Sequence, residues 1–238
     1  MKYKRILLKL SGETLLGSEK FGIDTGAAQS LAKSIKELQN QGLQIGIVIG
    51  GGNIFRGINL EESGIARTPA DQMGMLATLM NGIALQQVLT NHGCSSKIMS
   101  ALECPKITKP YRWQEALEAL DAGDVVLFVG GTGNPYFTTD TAAALRANEM
   151  EADILLKATK VDGVFNKDPM KHPDAIKYDQ LSYSQALAEK LNVMDATAIA
   201  LCRSNNIPIF VFNMQLLREG KLLEALEKQE KGTIVQGE

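Results

Sequence analysis

Apolar residues along this chain fall into two kinds of pattern. Short unbroken runs, several rich in β-branched residues, occur at Arg5 to Leu10, Gln44 to Ile49, Asp124 to Val129, Asp153 to Thr159 and Ile207 to Phe212. Runs of this length without polar alternation predict strands buried on both faces. Between them, apolar positions recur at helical spacing. Ala28, Leu31, Ala32, Ile35 and Leu38 predict a helix from about Thr25 to Asn40, ended by Gly42. Met73, Leu76, Leu79, Met80, Ile83, Ala84 and Val88 predict a long methionine-rich helix from Pro69 to about His92. Further helices are expected at Tyr111 to Leu120, Thr141 to Glu149, Ser184 to Lys190, Val193 to Ser204 and Leu216 to Lys228. Lys97 to Ser100 reads as a short strand and Thr233 to Val235 as an edge strand, while Asp162-Gly163 signals a small hairpin between Val161 and Val164-Phe165. Strands alternating with helices predict an α/β fold of three layers, αβα, around a mostly parallel sheet. No low-complexity linker divides the chain, so residues 1–238 are expected to form one domain.

The loops after two of these strands stand out. Ile47-Val48-Ile49 runs into Gly50-Gly51-Gly52-Asn53, and Leu127-Phe128-Val129 runs into Gly130-Gly131-Thr132-Gly133-Asn134. Each ends a buried strand in glycines and an asparagine. At the carboxyl edge of a parallel sheet, two such loops would share one cleft. The second continues through Pro135, Tyr136, Phe137, Thr138 and Thr139 to Asp140, where the helix start adds free N–H groups suited to phosphate. An N-cap at Thr139 or Asp140 is the simpler use of the same residues. Lys9 sits inside the first buried run, just before Ser11-Gly12. An ammonium group there is unfavourable to bury unless it is paired or meets an anion, which makes Lys9 a candidate phosphate ligand. Emergence to solvent at the strand end is its other reading. Arg56 follows the first glycine loop and could pair with phosphate through two parallel hydrogen bonds.

Composition narrows the chemistry further. The chain has 238 residues, 45% hydrophobic and 22% charged, with a net charge of −2, which argues against a nucleic-acid binder that relies on a basic surface. Its three cysteines carry no CxxC spacing, and its two histidines exclude a histidine-rich metal site. The thiols fit a reducing cytoplasm, and no signal peptide or membrane-spanning run is visible. There is no GxxxxGK[ST], no GxGxxG with an acidic partner and no GxSxG. Phosphoryl transfer fits what remains, because it needs positioning and charge neutralisation more than a nucleophilic side chain.

Several motifs carry a resemblance. Lys9-Leu10-Ser11-Gly12, the run from Gly50 through Asn53-Ile54-Phe55 to Arg56, and Asp71-Gln72-Met73-Gly74-Met75 are three of them. Gly131 through Pro135 to Thr139-Asp140, and Lys157-Ala158-Thr159-Lys160-Val161-Asp162-Gly163-Val164-Phe165 through Asp168-Pro169, complete the set. In this order and over nearly the whole chain they resemble the bacterial uridylate kinases, a family of the amino-acid-kinase fold. The resemblance implies transfer of a phosphoryl group from ATP to UMP with Mg2+. It implies an ATP side made of Lys9, Leu10, Ser11, Gly12, Gly52, Arg56, Thr159, Phe165 and Asp168, assigned to the C-terminal part from about 151 to 238, although only the last three lie within it. It implies a UMP side, within about 1 to 150, made of Gly51, Asp71, Thr132, Gly133, Asn134, Pro135, Tyr136, Phe137, Thr138 and Thr139. Lys9, Arg56 and Asp140 are the implied catalytic residues. Lys9 would neutralise the transferred group, Arg56 and Thr139 would hold the UMP phosphate, Asp71 would accept from the ribose hydroxyls and Phe165 would pack on adenine. Asp140 and Asp195 are acidic candidates for orienting Lys9 or magnesium, and both also suit helix capping.

The family is hexameric, and the methionine-rich helix suits either an interface or a core. Gly17, Ser18, Glu19, Lys20, Phe21 and Gly22 fall where the family places a GTP-activation element, with UTP as a second effector. Two other readings share the fold: a kinase acting on the carboxylate of glutamate or aspartate, and a non-catalytic protein that binds nucleotide and stores metal oxide. Neither nucleic acid as substrate nor a membrane is expected as a partner.

Overall fold

A computed structural model describes residues 2–55 and 64–238. The first strand, β1 (Arg5–Leu10), is followed by one 3-10 turn (Gly12–Leu15), then α1 (Thr25–Asn40) and β2 (Gln44–Ile49). Next come α2 (Arg67–Asn91), β3 (Ser96–Ser100), β4 (Lys109–Pro110), α3 (Trp113–Asp121), β5 (Val125–Val129) and α4 (Thr139–Glu149). The remainder is β6 (Ile154–Thr159), β7 (Val164–Phe165), β8 (Lys177–Tyr178), β9 (Gln180–Leu181), α5 (Tyr183–Ala188), α6 (Ala196–Ser204), β10 (Ile209–Asn213), α7 (Met214–Arg218), α8 (Leu222–Lys228) and β11 (Gly232–Val235).

Nine strands form one sheet in the order β4-β3-β5-β2-β1-β6-β10-β11-β9. All its pairings are parallel except β10 with β11. Alternate side chains of the central strands enter opposite cores. Ile6, Leu8 and Leu10 pack with α1, α2, α7 and α8 on one face. Leu7, Val48, Phe128 and Leu155 pack with α3, α4, α5 and α6 on the other. The expected three-layer α/β architecture is therefore the one found. Among the described residues no helix is long and apolar enough to cross a membrane.

Four local expectations need correction. Val164–Phe165 pairs antiparallel with Lys177–Tyr178, so Asp162-Gly163 does not close a hairpin on Val161. Gly163 instead passes Thr233, whose Oγ1 accepts the Val164 N–H at 2.8 Å. The strand expected at the edge, β11, is interior, because Gln180–Leu181 pairs along its outer side. The last helix is broken between α7 and α8 at Glu219-Gly220-Lys221, where Gly220 takes φ 68°. Finally, α4 starts at Thr139 with Thr138 as its N-cap, earlier than the alanine run suggested.

Candidate active site

The strands β5, β2, β1, β6 and β10 lie side by side, with chain order reversing at β1, and their carboxyl ends carry the site. Such a reversal opens a crevice above the sheet. The Ser11-Gly12 turn lies against the first glycine loop. A Cβ on Gly12 would lie 2.4 Å from Asn53 Oδ1 and 2.6 Å from the Gly50 carbonyl, so only glycine allows these two backbones to meet.

Lys9 and Lys157 occupy matching positions on β1 and β6. Both amines reach Asp140 in the first turn of α4: Lys9 Nζ lies 2.6 Å from Oδ1, and Lys157 Nζ donates to Oδ2 at 2.9 Å. Lys157 also donates to the Val193 carbonyl at 2.5 Å. All three side chains are largely covered, at 12 to 14% exposure, so their charges act in a weakly screened setting. Burial alone would raise the Asp140 pKa, but the ammonium charges of Lys9 and Lys157 outweigh it and hold the carboxyl below its ordinary range. Burial lowers the Lys157 pKa, opposed by Asp140 and assisted by repulsion from Lys9. The cluster is a compact cationic point built to meet an anion.

The second glycine loop leads to the same place. Gly130, Gly131 and Gly133 take positive φ, as does Tyr136 at 73°. Thr138 Oγ1 accepts from the Asp140 N–H at 3.0 Å and donates to Asp195 Oδ2 at 2.5 Å. Thr141 Oγ1 donates to the same oxygen at 2.8 Å, while Asp195 Oδ1 caps α6 by accepting from Ala198 N–H at 2.9 Å. Asp195 thus caps a helix, as one sequence reading had it, and also ties that helix to the start of α4. Asp140 is no cap; its carboxylate is spent on the two lysines. Asp71 lies one turn into α2, where Arg67 Nε donates to both its oxygens at 2.8 and 2.9 Å. The Tyr136 N–H donates to Asp71 Oδ2 at 2.7 Å, and the Arg67 guanidinium lies over the Tyr136 ring.

Chain neighbours of the lysine cluster line two cavities, Ser11 and Ala158 one and Thr139 the other. One of about 280 Å³ is lined by Gly51, Gly52, Phe55, Arg67, Asp71, Thr78, Gly131, Thr132, Phe137, Thr138 and Thr139, among others. Another, of about 550 Å³, is lined by Ser11, Glu13, Thr14, Gly17, Glu19, Thr159, Lys160, Asn213, Gln215 and Arg218, among others. A third, of about 420 Å³, shares Asn213 and Gln215 with it and adds Asp162, Phe165, Lys177, Leu216, Glu219 and Lys231. Thr139 and Asp140 are chain neighbours, and Lys9 is two residues from Ser11, so the cluster is joined by short chain to the walls of two cavities.

The expected residues distribute as follows. Gly51, Asp71, Thr132, Phe137, Thr138 and Thr139 come together around the cavity of about 280 Å³, and Gly52 lies with them rather than with Thr159. Gly133, Asn134, Pro135 and Tyr136 continue that loop without lining the cavity. Ser11 and Thr159 share the largest cavity with Gly17 and Glu19 of the Gly17 to Gly22 loop. Lys9, Leu10 and Gly12 stand behind Ser11. Phe165 is in the third cavity, and Asp168 is on the exposed turn beyond it, accepting from Met170 N–H at 3.0 Å. Arg56 lies outside the described residues. Sequence reasoning missed Lys157 and Arg67. The signal for Lys157 was the one used for Lys9, a charge inside a buried strand run.

The sequence profile described as the Amino acid kinase family matches residues 4–213. The uridylate kinase of Protochlamydia amoebophila (strain UWE25) is 63% identical over 232 residues, 98% of this chain and 92% of that protein. The crystal structure of UMP kinase from Bacillus anthracis superposes with TM-score 0.92 at 37% identity, covering 98% of this chain and 96% of that one. UMP kinase from Ureaplasma parvum gives TM-score 0.91 at 39% identity, with both chains covered in full. The chain belongs to the amino acid kinase family and, within it, to the uridylate kinases.

Proposed function

We propose that this protein transfers the γ-phosphoryl group of ATP to UMP, yielding ADP and UDP for pyrimidine nucleotide synthesis. The observation that carries the reading is the Lys9–Asp140–Lys157 cluster, joined by short chain to the walls of two cavities. The acceptor's phosphate oxygen is already ionised, so it attacks the γ-phosphorus without a base, and the bond to the β-phosphate oxygen breaks. Catalysis then rests on alignment and on neutralising charge on the equatorial oxygens and the leaving group. Lys9 and Lys157 supply that charge. Asp140 holds both amines in place and keeps them from repelling each other.

UMP occupies the cavity of about 280 Å³, with Asp71 accepting from the ribose hydroxyls and Thr139 at the phosphate. The helix N-terminus at Thr139 favours an anion there. ATP lies across the larger cavities, by Ser11, Thr159 and Phe165, with the Lys9 amine directed to its transferred phosphoryl group.

Among the described residues no group of three or more acidic, cysteine or histidine side chains is arranged to hold a metal ion. Asp140 is engaged by the two lysines and Asp195 by threonine hydroxyls. This donor set fits magnesium that would arrive on the nucleotide's phosphate oxygens, with Asp140 and Asp195 the carboxylates that could face it. Bound there, the ion would neutralise phosphate charge. The assembly is a homohexamer in the cytoplasm; the exposed apolar residues Met73, Leu76, Met80 and Ile83 of α2 support an interface role for that helix. GTP acts as an effector through the loop Gly17 to Gly22, and UTP is a second effector.

An ADP-release assay with UMP, CMP, glutamate and aspartate tests the reading. Turnover with UMP well above the others is expected. Turnover with an amino acid alone would make the protein a carboxylate kinase, and nucleotide binding without ADP release would make it a storage or binding protein.

A further inference from the structure

Two buried polar side chains on α2 are given no ligand role in the reading above, although one of them, Thr78, belongs to the wall of the acceptor cavity. Thr78 is 2% exposed and Asn81 is fully buried; they are three residues apart and so share one helix face. Thr78 Oγ1 accepts from the Gly130 N–H at 2.8 Å and donates to the Met75 carbonyl at 2.7 Å. Asn81 Nδ2 donates to the Gly50 carbonyl at 2.7 Å and to Asn53 Oδ1 at 2.6 Å. Asn53, also fully buried, donates back to Asn81 Oδ1 and to the Gly22 carbonyl, both at 2.9 Å. The helix touches the first loop directly as well: a Cβ on Gly51 would lie 2.7 Å from Ala77 Cβ and 2.8 Å from the Gly74 carbonyl.

A helix that only filled the core would carry apolar side chains on this face, because a buried amide or hydroxyl is unfavourable unless every polar atom finds a partner. Here the partners beyond the helix are the backbone and asparagine of one glycine loop and the backbone of the other. Each loop alone has wide conformational freedom. Pinned one turn apart on a rigid helix, Gly50 and Gly130 hold a fixed separation, and the acceptor cavity lies between their continuations, Gly51-Gly52 and Gly131-Thr132.

We infer that Thr78 and Asn81 are positioning residues for the phosphoryl acceptor: a brace on α2 that sets the spacing of the two glycine loops. The inference rests on the reading that this cavity receives UMP. Thr78 acts on the acceptor side alone, through Gly130. Asn81 acts through Gly50 on the loop that meets Ser11-Gly12, so it bears on the alignment of both substrates.

The test uses the full chain with Thr78→Val, which keeps the shape and removes the hydroxyl, Thr78→Ser, which keeps the hydroxyl, and Asn81→Asp. KM and kcat are measured with UMP and with ATP varied, UMP affinity by calorimetry and Tm by scanning. Thr78→Val should raise KM and Kd for UMP about tenfold, the scale of one buried donor left unpaired. KM for ATP should stay within about twofold, and Thr78→Ser should return UMP binding to within about twofold of wild type. Asn81→Asp, which puts an acceptor against the Gly50 carbonyl, should lower kcat by about tenfold or more. If Thr78→Val does not fold, Thr78→Cys, of similar volume with a weaker acceptor, should show the same UMP-selective loss. UMP affinity unchanged in Thr78→Val overturns the inference, as does an equal loss for both substrates that follows a fall in Tm. Wild type that turns over UMP alongside an indistinguishable Thr78→Val overturns the brace alone. Wild type that does not use UMP overturns the parent reading and the brace with it.

Discussion

Lys9 and Lys157 face each other in register on adjacent parallel strands, and a single carboxylate, Asp140, takes both amines. Two ammonium groups this close would repel each other if left alone. With Asp140 between them the group keeps one net positive charge, fixed in direction by two strands and a helix start. A phosphoryl group in flight needs charge that does not have to reorganise as the reaction proceeds.

Replacing Lys9 by alanine should lower kcat by about 10²-fold or more, the scale of losing one preorganised charge-stabilising group. UMP affinity should change little, because Lys9 does not line the acceptor cavity. Steady-state kinetics with calorimetric UMP binding checks this. Turnover near the wild-type rate would assign Lys9 to the Asp140 pair alone.

Lys157 gives the pH dependence. Its pKa is lowered by burial, so as pH rises it loses its proton earlier than a free lysine would, below 10.5. The charged form is the useful one, and kcat should therefore show an alkaline limb on the low side of that value. Arginine stays protonated throughout this range. Lys157→Arg should lower kcat but abolish the limb. A limb that persists in the arginine variant would belong to another group.

Asp71 should read the ribose. Asp71→Asn retains an acceptor for the Tyr136 N–H but loses the charge that binds Arg67 and that, in the proposed complex, would take two ribose hydroxyls. Loss of charge-assisted bonds of about 1.5–3 kcal/mol predicts roughly a 10- to 150-fold fall in kcat/KM for UMP. The preference for UMP over dUMP should shrink, while KM for ATP and Tm stay close to wild type. An unchanged UMP/dUMP ratio would mean that Asp71 serves only Arg67 and the Tyr136 loop.

Assembly should depend on α2. Met80 is 53% exposed at the centre of the apolar stripe, so Met80→Asp places a charge where a second copy would bury it. Light scattering at micromolar concentration should show wild type as an oligomer and the variant as a smaller species with similar helix content. A stable 25.8 kDa monomer for wild type would remove α2 from any interface role.

The layers of the fold and the two glycine loops could be read from the sequence because buried strands and turn residues leave local signals. Lys9 was found because a charge within an apolar run is conspicuous. Lys157 sits in a similar run, but its meaning depends on β6 lying next to β1, and strand neighbours far apart in sequence leave no local mark. Thr78 and Asn81 escaped for the opposite reason: polar residues within a helix read as its wet side, and only packing shows that these point inward. The Asp162-Gly163 signal misled because a glycine suited to a hairpin is equally suited to slipping past Thr233. The strand Gln180–Leu181 is too short to show any period, so β11 was taken for the rim.

That rim has a consequence of its own. The large sheet ends on one side in Lys109–Pro110 and on the other in Gln180–Leu181, each only two residues long. A growing fibril needs a long row of free N–H and C=O groups to copy, and a two-residue border offers a short one, least of all the border that carries a proline and a lysine. Extending the sheet from one copy to the next is therefore disfavoured at these borders, and an assembly is expected to form through helix faces and loops.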